Sequence, residues 1–254
     1  MKKIIALLLF VPVVAFAQQD TILSGHYKFI QPQSVHKSNM SIAILLEGKV
    51  HDFEWVQLSA NTIPSPTKKI KQQVPNNQER LIISKSGILN IQFNDSTFAL
   101  SPGSVAVLMP GEKYSFSTTQ PCTFYYMKYR SKQPTDVERG KNSGGSFVKL
   151  WDNIPFKPNS IGGGGRNYFN KSTAMQKRFE MHVTTLKEGV RSHDPHTHRA
   201  EEIVLMIEGN TEMQIGEKFY RGTTADFYYL GSNVLHAIKN VDTKPVMYFA
   251  FQFE

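Results

Sequence analysis

The chain has 254 residues, 40% of them hydrophobic and 20% charged, with a formal charge of +8. That length suits one large domain or two small ones, and that balance excludes bulk disorder. The basic residues are scattered, apart from Lys68, Lys69 and Lys71, and form no basic helix or aromatic–basic array, so no nucleic-acid partner is expected.

Lys2 and Lys3 precede a short apolar stretch, Ile4 to Phe16, which ends in the small-residue pattern Ala15-Phe16-Ala17. This predicts a signal peptide over residues 1–17, a mature N-terminus at Gln18, and an exported, periplasmic or extracellular protein. The stretch falls short of the ~20 residues that span a bilayer, so no membrane association is expected after cleavage. The single cysteine, Cys122, lies in an apolar strand-like run and has no partner for an internal disulfide. It reads as inert and buried.

An internal repeat organises the rest. "GILNIQFNDSTFALSPGSVAVLMPGEKYSF" starts at Gly87 and is followed by "PCTFYYMKY" from Pro121. "GNTEMQIGEKFYRGTTADFYYLGSNVLHAI" starts at Gly209 and is followed by "PVMYFAFQF" from Pro245. Asn94-Asp95 and Gly216-Glu217 fall at matching places and read as hairpin turns. Gly103 and Gly222 also correspond. Short alternating strands separated by turns, in two spans of similar order, predict a duplicated all-β unit. The first unit is assigned to residues 18–130 and the second to 171–254. Residues 131–170 read as a linker whose Phe147, Leu150, Trp151, Ile154 and Phe156 pack onto a domain surface. The run Gly162 to Gly165 reads as a flexible loop. It lacks the strand-to-helix context of a phosphate site.

"HDPHTHRAEEIVLMIEG", from His193, carries the chemistry. On an extended strand His196 and His198 aim to one side, and Glu202 can join them after a turn. Ile203 to Ile207 then reads as a buried strand, with Glu201 facing away from Glu202. His236 opens a later strand and supplies a third imidazole. Three imidazoles and a carboxylate suit one divalent transition metal, with Mn the first choice and Fe, Zn, Ni or Co as alternatives. His193 lies outside this pattern and is placed at the rim.

Gly189, His196, His198, Glu202 and Gly209 follow one another as in the first motif of the cupin superfamily, with only the first gap a residue longer. Gly222, His236 and Asn240 match its second motif, while Leu230-Gly231-Ser232 replaces the Pro-x-Gly element. The chain therefore resembles a bicupin. The resemblance implies two tandem jelly-roll (double-stranded β-helix) barrels, with His196, His198, Glu202 and His236 as metal ligands in the second. In the first unit Arg80 falls near the Glu202 position, Asn76 and Val74 near His198 and His196, and Tyr114 at His236. That set holds no metal, and one metal per chain is expected. His26, His36 and His51 read as structural or exposed.

The strand before the first motif carries Arg178, Glu180, His182 and Thr184 on one face. Turned inward, it would offer Glu180 and His182 as general acid/base groups and Arg178 as an anion grip. The opposite orientation would bury Phe179, Met181 and Val183 in the barrel and leave the polar set in solvent. Val204 and Met206 share a face with Glu202, and Tyr228, Tyr248 and Gln252 are further pocket candidates. The site fits an exported metal-dependent enzyme for a small oxygenated or carbohydrate-derived molecule, by hydrolysis, isomerisation or lyase chemistry. A non-catalytic small-ligand cupin is the alternative, and a homo-oligomer is compatible with either. The architecture also resembles bicupins of the (S)-ureidoglycine aminohydrolase type, although their ligand set includes Glu and Gln where this chain has His236.

Overall fold

The computed structural model describes residues 21–33, 40–64, 66–160 and 162–254. The signal-peptide reading, Gln18 and His36 lie outside the described residues. The alternating patterns become strands almost throughout. The first half contributes β1 (Gly25–Tyr27), β2 (Ser41–Gly48), β3 (Phe53–Ile63), β4 (Thr67–Gln73), β5 (Glu79–Ser86), β6 (Leu89–Phe93), β7 (Ser96–Leu100), β8 (Val105–Leu108), β9 (Lys113–Thr118) and β10 (Cys122–Ser131). A short helix, α1 (Val137–Asn142), leads to β11 (Phe147–Lys149), β12 (Lys157–Pro158) and β13 (Gly163–Lys171). The second half continues with β14 (Phe179–Leu186), β15 (Glu201–Glu208), β16 (Thr211–Ile215), β17 (Lys218–Gly222), β18 (Phe227–Leu230), β19 (His236–Asn240) and β20 (Val246–Phe253). No helix among the described residues is long and apolar enough to cross a membrane.

The strands form two large and two small sheets. In the first half β11-β8-β5-β10-β3-β2 faces β4-β9-β6-β7, and in the second β1-β18-β15-β20-β14-β13-β12 faces β17-β16-β19. Each pair of sheets encloses its own apolar core. Ile82, Leu89, Phe116, Phe124 and Tyr126 belong to one, and Val204, Met213, Ile238, Val246 and Ala250 to the other. A third core joins the halves, because the outer faces of the large sheets are also apolar. Phe53, Leu81 and Tyr129 meet Phe179, Ile203, Phe251 and Phe253 there. Strands buried on both faces explain the near-continuous apolar runs of β5 and β15. The hairpin expectation at Asn94-Asp95 holds: both residues take positive φ (46° and 59°), as a type I′ turn requires.

The sheets do not follow the boundaries expected from the sequence. β1 lies in the first half of the chain but pairs antiparallel with β18 in the second, placing Gly25 opposite Tyr229. Residues 131–170 are more than a linker. β11 extends the first large sheet through β8, and β12–β13 extends the second through β14. Three of the four glycines, from Gly163 on, are therefore strand and not a flexible loop, with Gly162 in the bend before them. A Cβ on Gly163 would sit 1.9 Å from Thr185 O, and one on Gly164 would sit 2.3 Å from Lys157 O. Only glycine permits so close an approach of backbones. Of the linker's apolar residues, Ile154 is buried, Phe147 packs edge-on against Phe169, and Phe156 stays exposed.

Two buried carboxylates clamp the halves reciprocally. Glu79, which opens β5, accepts hydrogen bonds from Tyr129 Oη (2.7 Å), Thr173 Oγ1 (2.8 Å) and the Met175 amide (2.9 Å). Glu201, which opens β15, accepts from the His51 and Asp52 amides at 2.8 Å each and from Tyr229 Oη. Each strand thus grips a loop of the opposite half.

Burial pushes the Glu79 carboxyl up to about 7, against the hydrogen bonds that favour its charged form. Between its ordinary value of 4.5 and about 7, the folded protein keeps a proton that the unfolded chain has lost. The stability linked to that proton is fully present below this window. It is lost as pH rises through it, by about 3 kcal/mol in all. Glu79→Gln has no such proton to lose. Its urea midpoint is expected to depend less on pH than that of wild type across this window. Equal slopes would show that Glu79 does not titrate there.

Candidate metal centre

β15 is the strand that brings the site together. Glu202 lies opposite Leu230 of β18 and Gln252 of β20, so its carboxylate projects into the second core. His196 and His198 arrive on irregular backbone instead of the extended strand expected, whereas His236 opens β19 as expected. His196 forms an isolated bridge with His236 at the start of β19, with reciprocal amide-to-carbonyl bonds of 3.2 and 3.0 Å. The coordinating nitrogens of His196, His198 and His236 all lie within 4.8 Å of one another. Glu202 Oε2 lies 3.0 Å from His198 Nε2 and 3.6 Å from His236 Nε2. The four residues proposed as ligands therefore converge.

The hydrogen bonds set the tautomers. His198 Nδ1 is 2.8 Å from Ala200 O, and His236 Nδ1 is 2.8 Å from Val234 O. A carbonyl can only accept, so each Nδ1 carries the proton and each Nε2 presents a lone pair to the centre. His236 is 4% exposed, and its Nε2 has no hydrogen-bond partner among the described residues. A buried orphan nitrogen surrounded by two further imidazoles and a carboxylate fits a divalent cation. Burial alone would raise the Glu202 carboxyl, but the adjacent His198 and His236 imidazoles outweigh it and hold it well below the usual carboxylate range. The Glu202 bond raises the His198 imidazole, while burial and crowding by His193, His236 and His198 lower that of His196.

The orientation of β14 is resolved by the core between the halves, which takes Phe179, Met181 and Val183. The opposite face turns inward, and His182 and Thr184 line a cavity of about 340 Å³ together with His196, Glu202, His236 and Gln252. Glu180 lies behind His182, with its Oε1 3.5 Å from His182 Nδ1. Arg178 is held by the Glu180 carboxylate and donates to Gln252 Oε1 at 3.2 Å. With its oxygen fixed, Gln252 directs Nε2 to Glu202 Oε2 at 3.2 Å. A continuous polar chain therefore runs from His182 through Glu180, Arg178 and Gln252 to Glu202.

Tyr248 also lines the cavity, and its hydroxyl meets Ser192 and Thr184. Tyr228 is buried beside Thr211 instead. His193 reaches the cavity wall, with its ring 4.1 Å from that of His196. The sequence reading gave Gln252 only a minor place. Its alternation with Tyr248 and Ala250 on β20 was the available signal. Of the histidines placed outside the pattern, His26 pairs with Asp226 at 2.9 Å and His51 is exposed.

The first half keeps this geometry without its chemistry. Arg80 occupies the Glu202 register, opposite Lys128 of β10 and Leu108 of β8. Tyr114 stands at the His236 position, and its β4 neighbour is Gln72. The positions matching His196 and His198 are therefore Gln72 and Val74, two residues earlier than the spacing suggested, because the loop before β5 is longer. Arg80 Nε donates to Tyr126 Oη at 3.1 Å, and Tyr114 bonds to the same hydroxyl. A packed aromatic core fills the space, and a fixed guanidinium repels a cation. Elemental analysis after dialysis is expected to give one transition metal per chain. Two tightly held equivalents would overturn this reading of the first half.

Residues 182–251 match the family model described as Cupin domain. Among solved structures, the chain is similar to AerE from Microcystis aeruginosa, at 14% identity and a TM-score of 0.65 over 90% of this chain and 99% of that one. Protein Ylba from E. coli matches at 16% identity and a TM-score of 0.67, over 89% and 87% of the two chains. Oxalate decarboxylase from Lactobacillus farciminis, a formate complex, matches at 8% identity and a TM-score of 0.59, over 87% of each. At such identities these likenesses carry the fold alone. No curated protein matches the sequence.

Proposed function

We propose that this chain, whose residues 182–251 match a cupin domain and whose histidines gather in that second barrel, is an exported, metal-dependent enzyme for a small oxygenated or carbohydrate-derived substrate. The observation that carries this reading is the proton-transfer apparatus beside the histidine cluster. His182 lines the same cavity as His196, Glu202 and His236, with Glu180 behind it. A pocket built only to hold a ligand has no need of a carboxylate–imidazole pair.

His196, His198, Glu202 and His236 would hold the metal, manganese being the first choice. Bound there, it supplies a Lewis acid for a substrate oxygen. The chain's own residues do the rest. His182 takes or returns a proton at the cavity wall, and Glu180 orients its imidazole. Arg178 holds Glu180 in place, and its charge is spent on that pair. This argues against Arg178 as a direct anion grip. Burial raises the Tyr248 hydroxyl, which stays neutral and can donate to a substrate hydroxyl or carbonyl. Apolar Val204, Ile238 and Ala250 close the floor and limit water.

The test is a panel of small hydroxy-carboxylates, sugar acids and oxalate, screened with metal-loaded mature protein. With the substrate so found, His182→Gln should lower kcat by about 10²- to 10⁴-fold with metal content unchanged. Wild-type turnover in that variant would remove His182 from the chemistry. Metal-dependent binding without turnover of any compound would favour the non-catalytic reading. Export has its own test: N-terminal sequencing of protein recovered outside the cytoplasm should begin at or near Gln18. An intact Met1 there would sink it.

A further inference from the structure

A second cavity lies between the halves, away from the histidine cluster. Its volume is about 330 Å³, and Tyr125, Trp151, Ile207, Met247 and Phe249 are among the residues that line it. The two sheets that meet here are apolar on their facing sides, and the main polar group in the wall is the buried Ser84 hydroxyl, which has no hydrogen-bond partner among the described residues. A void with so apolar a lining favours a largely apolar guest. The rim is different. Lys85 is half-buried and makes no ion pair among the described residues, its ammonium lying 5.0 Å from the Phe29 ring. The Thr224–Ala225 loop forms part of the opposite wall, and Ala225 holds a positive φ of 74° there. A non-glycine residue in that region stores strain that the surrounding fold must maintain. The nearby acid, Asp226, is already engaged by His26 and by the Phe29 and Thr223 amides. Lys85 is therefore left as the uncompensated charge at the entrance.

We propose that this cavity is a binding site for a small molecule with an apolar, planar or branched body and one anionic group. The body lies among Trp151, Met247 and Phe249, and the anionic group meets Lys85. Such a site spans both halves, so its occupant would favour their docked arrangement.

The probes are 1-naphthoate and its neutral counterpart 1-naphthamide, titrated calorimetrically into full-length mature protein. Naphthoate is expected to bind saturably, once per chain, and equally well after the metal is stripped. Lys85→Gln should weaken naphthoate about tenfold while leaving naphthamide within about twofold. Met247→Trp, which fills the void, should abolish both. Circular dichroism checks its fold, and if it does not fold, Lys85→Gln decides alone. Absence of saturable binding would overturn the proposal, as would equal naphthoate affinity in wild type and Lys85→Gln. Binding that survives Met247→Trp but disappears in His236→Ala would place the probe in the histidine cavity and overturn it too.

Discussion

Glu202→Gln is expected to reduce bound metal from one equivalent per chain to almost none, while its neighbour Glu201→Gln keeps the metal and loses stability. Glu202 is the only anion in the proposed ligand set. Without it a divalent cation would keep its full charge among neutral imidazoles in a poorly solvated cavity. The apolar core around the site does not depend on the ion, so circular dichroism should be unchanged. Glu201 points the other way and is fully buried, with both oxygens accepting backbone amides of His51 and Asp52. The amide nitrogen of a glutamine cannot accept a hydrogen bond, so whichever way the substituted side chain turns, one part-buried backbone N–H loses its partner. That costs about 1–3 kcal/mol. Elemental analysis and urea denaturation of the two variants test the pair together. Equal metal content in the two folded proteins would show that the carboxylate ligand has been misassigned.

The largest loss of stability is expected from Phe53→Ala. Phe53 is 1% exposed, and its ring stacks between Tyr129 of its own half and Phe253 of the other, with centroids 4.7 Å away on each side. Deleting the ring opens a cavity in the core that joins the halves and should cost about 3–5 kcal/mol. That is a large share of the roughly 5–15 kcal/mol that holds a typical protein folded. Metal stoichiometry below the melting temperature should stay at one, since the ring touches no proposed ligand. A melting temperature within a degree or two of wild type would mean that the halves do not rely on this stack.

The clustering of His196, His198 and His236 was legible because a metal motif sets donor types at fixed offsets, and those offsets survive in one dimension. The hairpin turns were legible for a similar reason, since left-handed backbone selects Asn, Asp and Gly. The inward face of β14 was not, because Phe179 and His182 each sit plausibly in a barrel. Only the existence of a third core, between the halves, assigns Phe179 to it. The register of the first half slipped by two at Gln72 and Val74, because a loop insertion leaves no mark on strand periodicity. The glycine run was misread because sequence shows glycine's freedom but not the backbones that crowd it. Glu79 and Glu201 occupy matching places in the repeat, each directly before Arg80 or Glu202. Their role across the interface needed the partner loops to be seen.

The strand exchange has a consequence for how the chain matures. Gly25–Tyr27 docks on β18, and His26 finds its carboxylate at Asp226, 200 residues away. The second large sheet therefore lacks its edge strand until the earliest segment and nearly the latest have both emerged. Closing so long a loop is slow, and neither half can reach its final form while the other is missing. The molecule is then a single cooperative unit despite the separate core inside each half. Cutting the chain between residues 131 and 170 would not release a self-sufficient second barrel. It would leave one with β18 unpaired along an edge, inviting a foreign strand to take the place of β1.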